Sequence, residues 1–112
     1  MRESVVQNAV RLHLGQKDDL VIWRNNVGQY HDDRGNWIRY GLCLGSSDLV
    51  GIISPTGRFF AAEVKAPKGR LQDEQRAFID LINSKGGYAC VVRGVAEAEA
   101  HYKRAVRGLS AE

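Results

Sequence analysis

Asp48 and, fifteen positions later, the triplet Glu63-Val64-Lys65 are the residues of this chain best placed to do chemistry. They lie in the stretch SDLVGIISPTGRFFAAEVK, which reads as an apolar strand led by an aspartate, a Ser54-Pro55-Thr56-Gly57 turn and a second strand. Strand side chains alternate faces, so Glu63 and Lys65 point the same way, roughly 7 Å apart, while Val64 faces the core. A hairpin brings Asp48 alongside them. Two carboxylates and an ammonium at one edge of a small sheet suit a metal-dependent attack on a phosphodiester. Mg2+ is a hard cation that prefers oxygen, keeps several waters and takes one or two protein carboxylates plus substrate phosphate. Asp48 and Glu63 supply that minimum, and the Val64 carbonyl offers a further oxygen. Lys65 is suited to orienting or deprotonating the attacking water, or to pairing with developing phosphate charge, and its residue type leaves these roles open. Taken singly, each fragment is ordinary: Glu-x-Lys is usually a solvated strand face, and an aspartate after Gly-Ser-Ser is usually a turn or cap residue.

The elements that must hold these groups follow from periodicity and punctuation. Residues 3–14 predict a helix, with Val6, Ala9, Val10 and His13 on one side and Gly15 as its stop. Leu20-Val21-Ile22-Trp23 is a short apolar strand. From Asn25 to Gly45 the chain is glycine-rich and reads as irregular, with Asp33-Arg34-Gly35-Asn36 a turn between Gln29-Tyr30 and Trp37-Ile38-Arg39-Tyr40. After the hairpin come a loop from Ala66 to Arg70, a helix from Leu71 to Ser84 ended by Gly86-Gly87, a strand from Tyr88 to Val92 and a helix from Val95 to Arg107. The order helix, three strands, helix, strand, helix predicts an α/β fold in which helices flank a mixed sheet, with a right-handed crossover from Lys65 to Tyr88.

Composition excludes several classes. A hydrophobic content of 44% with 26% charged residues is that of an ordinary globular chain, and 112 residues suit one domain spanning 1–112. No apolar run approaches the roughly 20 residues that cross a bilayer, and MRESVVQNAV carries no apolar signal-peptide core. Cys43 and Cys90 lack metal-ligand spacing, which predicts two buried, reduced thiols in a cytoplasm. His13, His31 and His101 share no spacing that suggests zinc. The net charge of +3 is compatible with a polyanionic partner but is weak on its own.

Five motifs sharpen the picture: Glu3-x-x-x-Gln7, Gly45-x-x-Asp48-Leu49, Glu63-Val64-Lys65, Leu71-x-x-x-Gln75 and Val91-Val92-Arg93. In this order, over nearly the whole chain, they resemble the VRR-NUC family of the PD-(D/E)xK nuclease superfamily, in its small stand-alone phage or bacterial form. The resemblance implies a restriction-endonuclease-like core and Mg2+- or Mn2+-dependent cleavage of DNA. Among small relatives it implies homodimers acting on branched DNA such as Holliday junctions, in the cytoplasm (of the host, if phage-encoded). By the same resemblance Asp48 and Glu63 are the metal-binding acids, Lys65 the catalytic lysine, Gln75 the helix glutamine of the site and Glu3 an acid that holds metal directly or through water. The terminal motif departs from the pattern, since glycine rather than a second arginine follows Arg93.

The residues themselves add to this reading. Gln75 shares a helix face with Leu71, Phe78, Ile79 and Ile82, which places a polar amide on a core-facing stripe, either contacting substrate or capping a strand end. Glu3, in a first turn, also suits the helix dipole. For DNA binding, Arg58, Lys65, Lys68 and Arg70 outweigh Glu63, and Gly69 lets backbone approach phosphate. Arg34 and Arg39 stand among Tyr30, His31, Trp37 and Tyr40, a mixture suited to phosphate contact and base stacking. Trp37, Tyr40 and Leu42 are equally candidates for anchoring a two-fold dimer. The leading expectation is thus a structure-selective, metal-dependent endodeoxyribonuclease. The alternatives are a flap or single-strand nuclease, a non-catalytic DNA-binding module of the same fold and a hydrolase of small phosphate esters.

Overall fold

The computed structural model describes residues 2–111. Helix α1 spans Glu3–Leu14, and its buried Val6, Val10 and Leu14 recur every four residues, one stripe of the helix surface. Then come β1 (Leu20–Arg24), β2 (Gly28–His31), β3 (Trp37–Tyr40), β4 (Leu49–Ile53), β5 (Arg58–Val64), α2 (Asp73–Ser84), β6 (Tyr88–Val92) and α3 (Val95–Val106). The main sheet runs β1-β4-β5-β6. Its first three strands are antiparallel and β6 pairs parallel to β5. A mixed four-stranded sheet flanked by three helices is the expected α/β architecture, consistent with a restriction-endonuclease-like core.

The two faces of the sheet are unequal. On one, Leu49, Ile53, Phe60, Ala62, Val64, Tyr88, Cys90 and Val92 pack with α1 and α3 residues into one buried cluster. Leu14, Leu49 and Phe60 are wholly buried there, and each such side chain contributes about 1.5–3 kcal/mol. On the other, Ala61 and Ala89 meet Phe78 and Ile79 of α2. Helix α2 covers the β5-β6 half of that face. The β1-β4 half stays open, leaving Val21 54%, Trp23 51% and Ile52 44% exposed.

Three sequence expectations change. The segment between Asn25 and Gly45, read as irregular, contains a two-stranded sheet of its own, β2-β3. Its alternation is masked because exposed aromatics occupy both faces. Helix α2 starts at Asp73, two residues later than periodicity suggested, because Gln72 is its N-cap and makes a capping box with Gln75. Of the two thiols, Cys90 is buried as expected, but Cys43 is exposed; both are free. No helix among the described residues is long and apolar enough to cross a membrane.

Candidate functional site

The β4-β5 register brings the acids together. Leu49 lies opposite Ala62, so continuing the antiparallel ladder by one residue sets Asp48 opposite Glu63, on the sheet face that carries α2. The Val64 N–H donates to Asp48 Oδ2 at 2.9 Å, which fixes that carboxylate against the strand. Glu63 is 1% exposed. Its Oε2 is buried and has no hydrogen-bond partner among the described residues. Burial, a hydrogen bond with the Asp48 carboxyl and the Asp48 charge push the Glu63 carboxyl up to about 9, against the pull of Lys65. A buried acid, Glu63, and a half-buried one, Asp48, are thus held close, and Lys65 only partly offsets their charge. An orphaned carboxylate oxygen facing a second carboxylate is a donor set that fits a hard divalent cation. A cleft of about 210 Å³ opens here, lined by Asp48, Glu63 and Gln75 together with Asn25, Gly45 and Glu74.

Asp48 is held by a loop that Asn25 ties down. Asn25 Nδ2 donates to Ser46 Oγ at 2.7 Å and to the Ser47 carbonyl at 2.9 Å. Its Oδ1 accepts the Leu42 N–H at 3.2 Å, and its backbone N–H donates to the Asp48 carbonyl at 2.7 Å. Gly45 presses the same loop onto α2. Its φ is +83°, and a Cβ there would stand 2.4 Å from the Glu74 carbonyl oxygen, closer than any side chain tolerates. The glycine of the Gly45-x-x-Asp48 motif therefore has a steric cause. Asn25 escaped the sequence reading, because a lone asparagine after a strand gives no local signal of four partners elsewhere. Asn25→Ala and Gly45→Ala are each expected to destabilise the loop that positions Asp48, by about 1–3 kcal/mol for the polar groups Asn25 leaves unpaired and at least as much for the strain and clash of a Cβ at Gly45. Thermal melting reads this, and an unchanged melting temperature in both variants would remove them from the site's support.

Lys65 shares the Glu63 face of β5 and is only 7% exposed. It makes no ion pair, since the salt bridges among the described residues all end on Glu99. The loop that follows is clamped by Arg93, whose Nη1 donates to the carbonyls of Ala66 at 2.9 Å and Gly69 at 2.8 Å. Arg93 is thereby committed to holding this loop, on which Lys68 and Arg70 stand exposed. Gln75 is half-buried in the first turn of α2, where its Oε1 accepts the Gln72 N–H at 2.9 Å while the residue lines the cleft. Glu3 is exposed in the first turn of α1, and its charge reaches Glu63 weakly. Among the described residues no three His, Cys, Asp or Glu side chains gather tightly enough to hold a metal, so Glu3 stands outside the Asp48-Glu63 pair.

The remaining basic candidates divide. Arg58 sits at the opposite end of β5 from Glu63, and its guanidinium donates to the carbonyls of Gly86, Ala105, Leu109 and Gly87 at 2.8–3.4 Å. It therefore ties β5 to the ends of α2 and α3, so most of its donors are committed within the fold. Arg34 and Arg39 are exposed on the β2-β3 hairpin. The histidines go three separate ways: His13 to Glu99, His31 to Gly35 and His101 to Tyr88.

Comparison with known families decides what this arrangement belongs to. The model of the VRR-NUC domain matches residues 1–96. The chain belongs to the VRR-NUC family. No curated protein gives a significant match. VRR-NUC domains are of the PD-(D/E)xK superfamily and are nuclease domains, so the chain has a nuclease-type, DNA-processing function and is a hydrolase. The matched stretch of this VRR-NUC domain contains Asp48, Glu63, Lys65, Gln75 and Arg93, which the fold places at one end of β5 and the elements beside it.

Proposed function

We propose that this VRR-NUC protein is a divalent-metal-dependent endonuclease that cuts phosphodiester bonds in branched DNA, such as a four-way junction, and acts as a homodimer. The observation that carries the catalytic part is the buried Glu63, its Oε2 unpartnered among the described residues, opposite half-buried Asp48 and beside Lys65, which makes no ion pair among those residues. Asp48 and Glu63 would hold Mg2+ or Mn2+, the Val64 carbonyl would offer a backbone oxygen and Glu3 would act through water. Bound there, the cation supplies Lewis-acid polarisation of the scissile phosphate and an acidified water. Lys65 lies on the same strand face, where its ammonium meets the charge that develops on the phosphate, and Gln75 orients groups in the cleft. Lys68 and Arg70, on the loop fixed by Arg93, contact flanking phosphates.

A module needing only affinity has no use for two carboxylates, one of them desolvated, facing a polyanion, which weighs against a non-catalytic role. Resolution of a four-way junction takes two cuts at symmetry-related positions, and a two-fold dimer places two such sites in that relation. The open β1-β4 face, with Val21, Trp23 and Ile52 exposed, is the surface best suited to burial between copies, in an interface on the order of 1,200–2,000 Å² in total. Of the anchors suggested by sequence, Trp37 and Tyr40 lie on opposite faces of their hairpin and cannot both enter one flat interface.

The test is incubation with labelled linear, flapped and four-way DNA in Mg2+, Mn2+ or chelator, alongside light scattering at micromolar protein. Paired cuts in the four-way substrate, abolished by chelator, are expected from a particle of twice the chain mass. Equal cutting in chelator would remove the metal. A monomer that only nicks flapped DNA would move the reading to a flap or single-strand nuclease.

A further inference from the structure

The β2-β3 hairpin stands apart from both cores, since none of its residues belongs to either buried cluster. Yet it is built stiffly. Asp32 Oδ1 accepts the N–H groups of Arg34 at 2.9 Å and Asn36 at 2.8 Å, and Asp32 Oδ2 accepts from Asn36 Nδ2 at 3.2 Å. The Asp32 N–H donates to the Asn36 carbonyl at 2.9 Å, which closes the turn. His31 Nδ1 donates to the Gly35 carbonyl at 3.1 Å and so locks the imidazole plane.

That lock matters because His31 lies directly opposite Trp37, and their rings stack with centroids 4.0 Å apart and planes 27° from parallel. Trp37 remains 59% exposed. Gln29 and Arg39 are the next pair on this same face. The other face carries Tyr40, which packs across Gly28 so closely that a Cβ at Gly28 would stand 2.2 Å from the Tyr40 hydroxyl. That face also carries Tyr30, whose ring lies 6.4 Å from Tyr40 and tilted by 48°, so it holds no stacked pair, whereas the first face offers an ordered aromatic stack with a guanidinium beside it. Its tip carries Asp32 and Asp33 against Arg34, a charge pattern that repels a phosphate backbone at the very end of the hairpin. Ring faces at the end, and a cation one pair further in, suit a base at the tip with its own phosphate behind.

We propose that the His31-Trp37 stack is a binding platform for an unpaired nucleobase, with Arg39 holding the adjoining phosphate, so that the hairpin reads the unstacked point of a DNA branch. This rests on the nuclease reading above, and it names the part of the substrate that the hairpin recognises. Stacking is sequence-tolerant, because every base has a π-face, and removal of one aromatic partner typically weakens single-strand binding by about 10-fold or more. Trp37 is exposed and touches neither core, so its replacement spares the fold.

The test uses the full chain carrying Lys65→Ala, with four-way and linear DNA that bear 2-aminopurine at the branch nucleotides or at matched duplex positions. Quenching of 2-aminopurine is expected at the branch and not in the duplex. Adding Trp37→Ala should abolish the quenching and lower affinity for the branched DNA about 10-fold, with linear affinity unchanged; Trp37→Phe should retain most of both. Absent quenching at the branch, or equal loss on both DNAs, would overturn the proposal. So would light scattering that shows Trp37→Ala splitting a dimer, since the ring would then be a contact between copies. Branch quenching by an otherwise wild-type chain that cuts no DNA would support the platform while the nuclease reading failed, so the two are separable.

Discussion

Asp48→Ala and Lys65→Ala are each expected to reduce DNA cleavage by roughly 10²–10⁴-fold, the scale lost when a positioned acid-base or charge-stabilising group is removed. Neither change should unfold the protein. Lys65 lies at the end of β5, beyond the apolar clusters, and its truncation removes a methylene stem rather than a core side chain. Asp48→Ala leaves the Val64 N–H without its acceptor, a cost of about 1–3 kcal/mol if no water replaces it. Asp48→Asn is the matching control, because an amide oxygen can still accept that hydrogen bond but carries no charge for a cation. Asp48→Asn should therefore keep the wild-type melting temperature while remaining inactive. Removing the Asp48 charge should also strengthen metal-free DNA binding, since a negative group facing phosphate is gone. Circular dichroism, a nicking assay and filter binding measure the three effects. Full activity in either alanine variant would end the proposed mechanism.

The second large effect is a dependence of stability on pH that metal should erase. The folded-state Glu63 carboxyl is raised from 4.5 to about 9, so between those values the native chain holds a proton that the unfolded chain has lost. Stability associated with this group is fully present below the lower value and falls as pH rises toward the upper one, by at most about 1.4 kcal/mol per pH unit for one proton. In chelator the melting temperature should accordingly drop from pH 6 to pH 9. If Mg2+ or Mn2+ binds this pair as proposed, it would displace that proton and neutralise the pair, and its addition should stabilise the chain most at the alkaline end. Glu63→Gln keeps the shape and removes the titration; it should flatten the pH dependence, lose the metal-induced gain and be inactive. Differential scanning calorimetry across pH, with and without metal, reads all of this. A metal gain of equal size in Glu63→Gln would place the cation elsewhere.

What was legible in the residues was whatever depends on near neighbours. Alternation along Glu63-Val64-Lys65 assigned Val64 to the core and the two charged groups to one face, and the structure keeps that division. The apolar stripe of Val6 and Val10, the Pro-Thr-Gly turn and the motif order were equally local, and they carried the α/β fold and the family. Less was visible where the partner lies far along the chain. Arg58 looked like one more basic residue beside a catalytic strand, but its donors end on carbonyls from Gly86 to Leu109. Asn25 showed nothing in its surroundings, yet it connects Leu42, Ser46, Ser47 and Asp48.

By itself, then, the sequence determined the strand faces, the hairpin and the identity of the chemically able residues, because side-chain alternation and turn geometry act over a few residues. Only the tertiary structure decided that Glu63 is desolvated against Asp48, that Arg93 spends its guanidinium on the loop after Lys65 and that half of one sheet face stays open. Each of these depends on how much water the packing of distant segments excludes, and on which donors it brings to which acceptors.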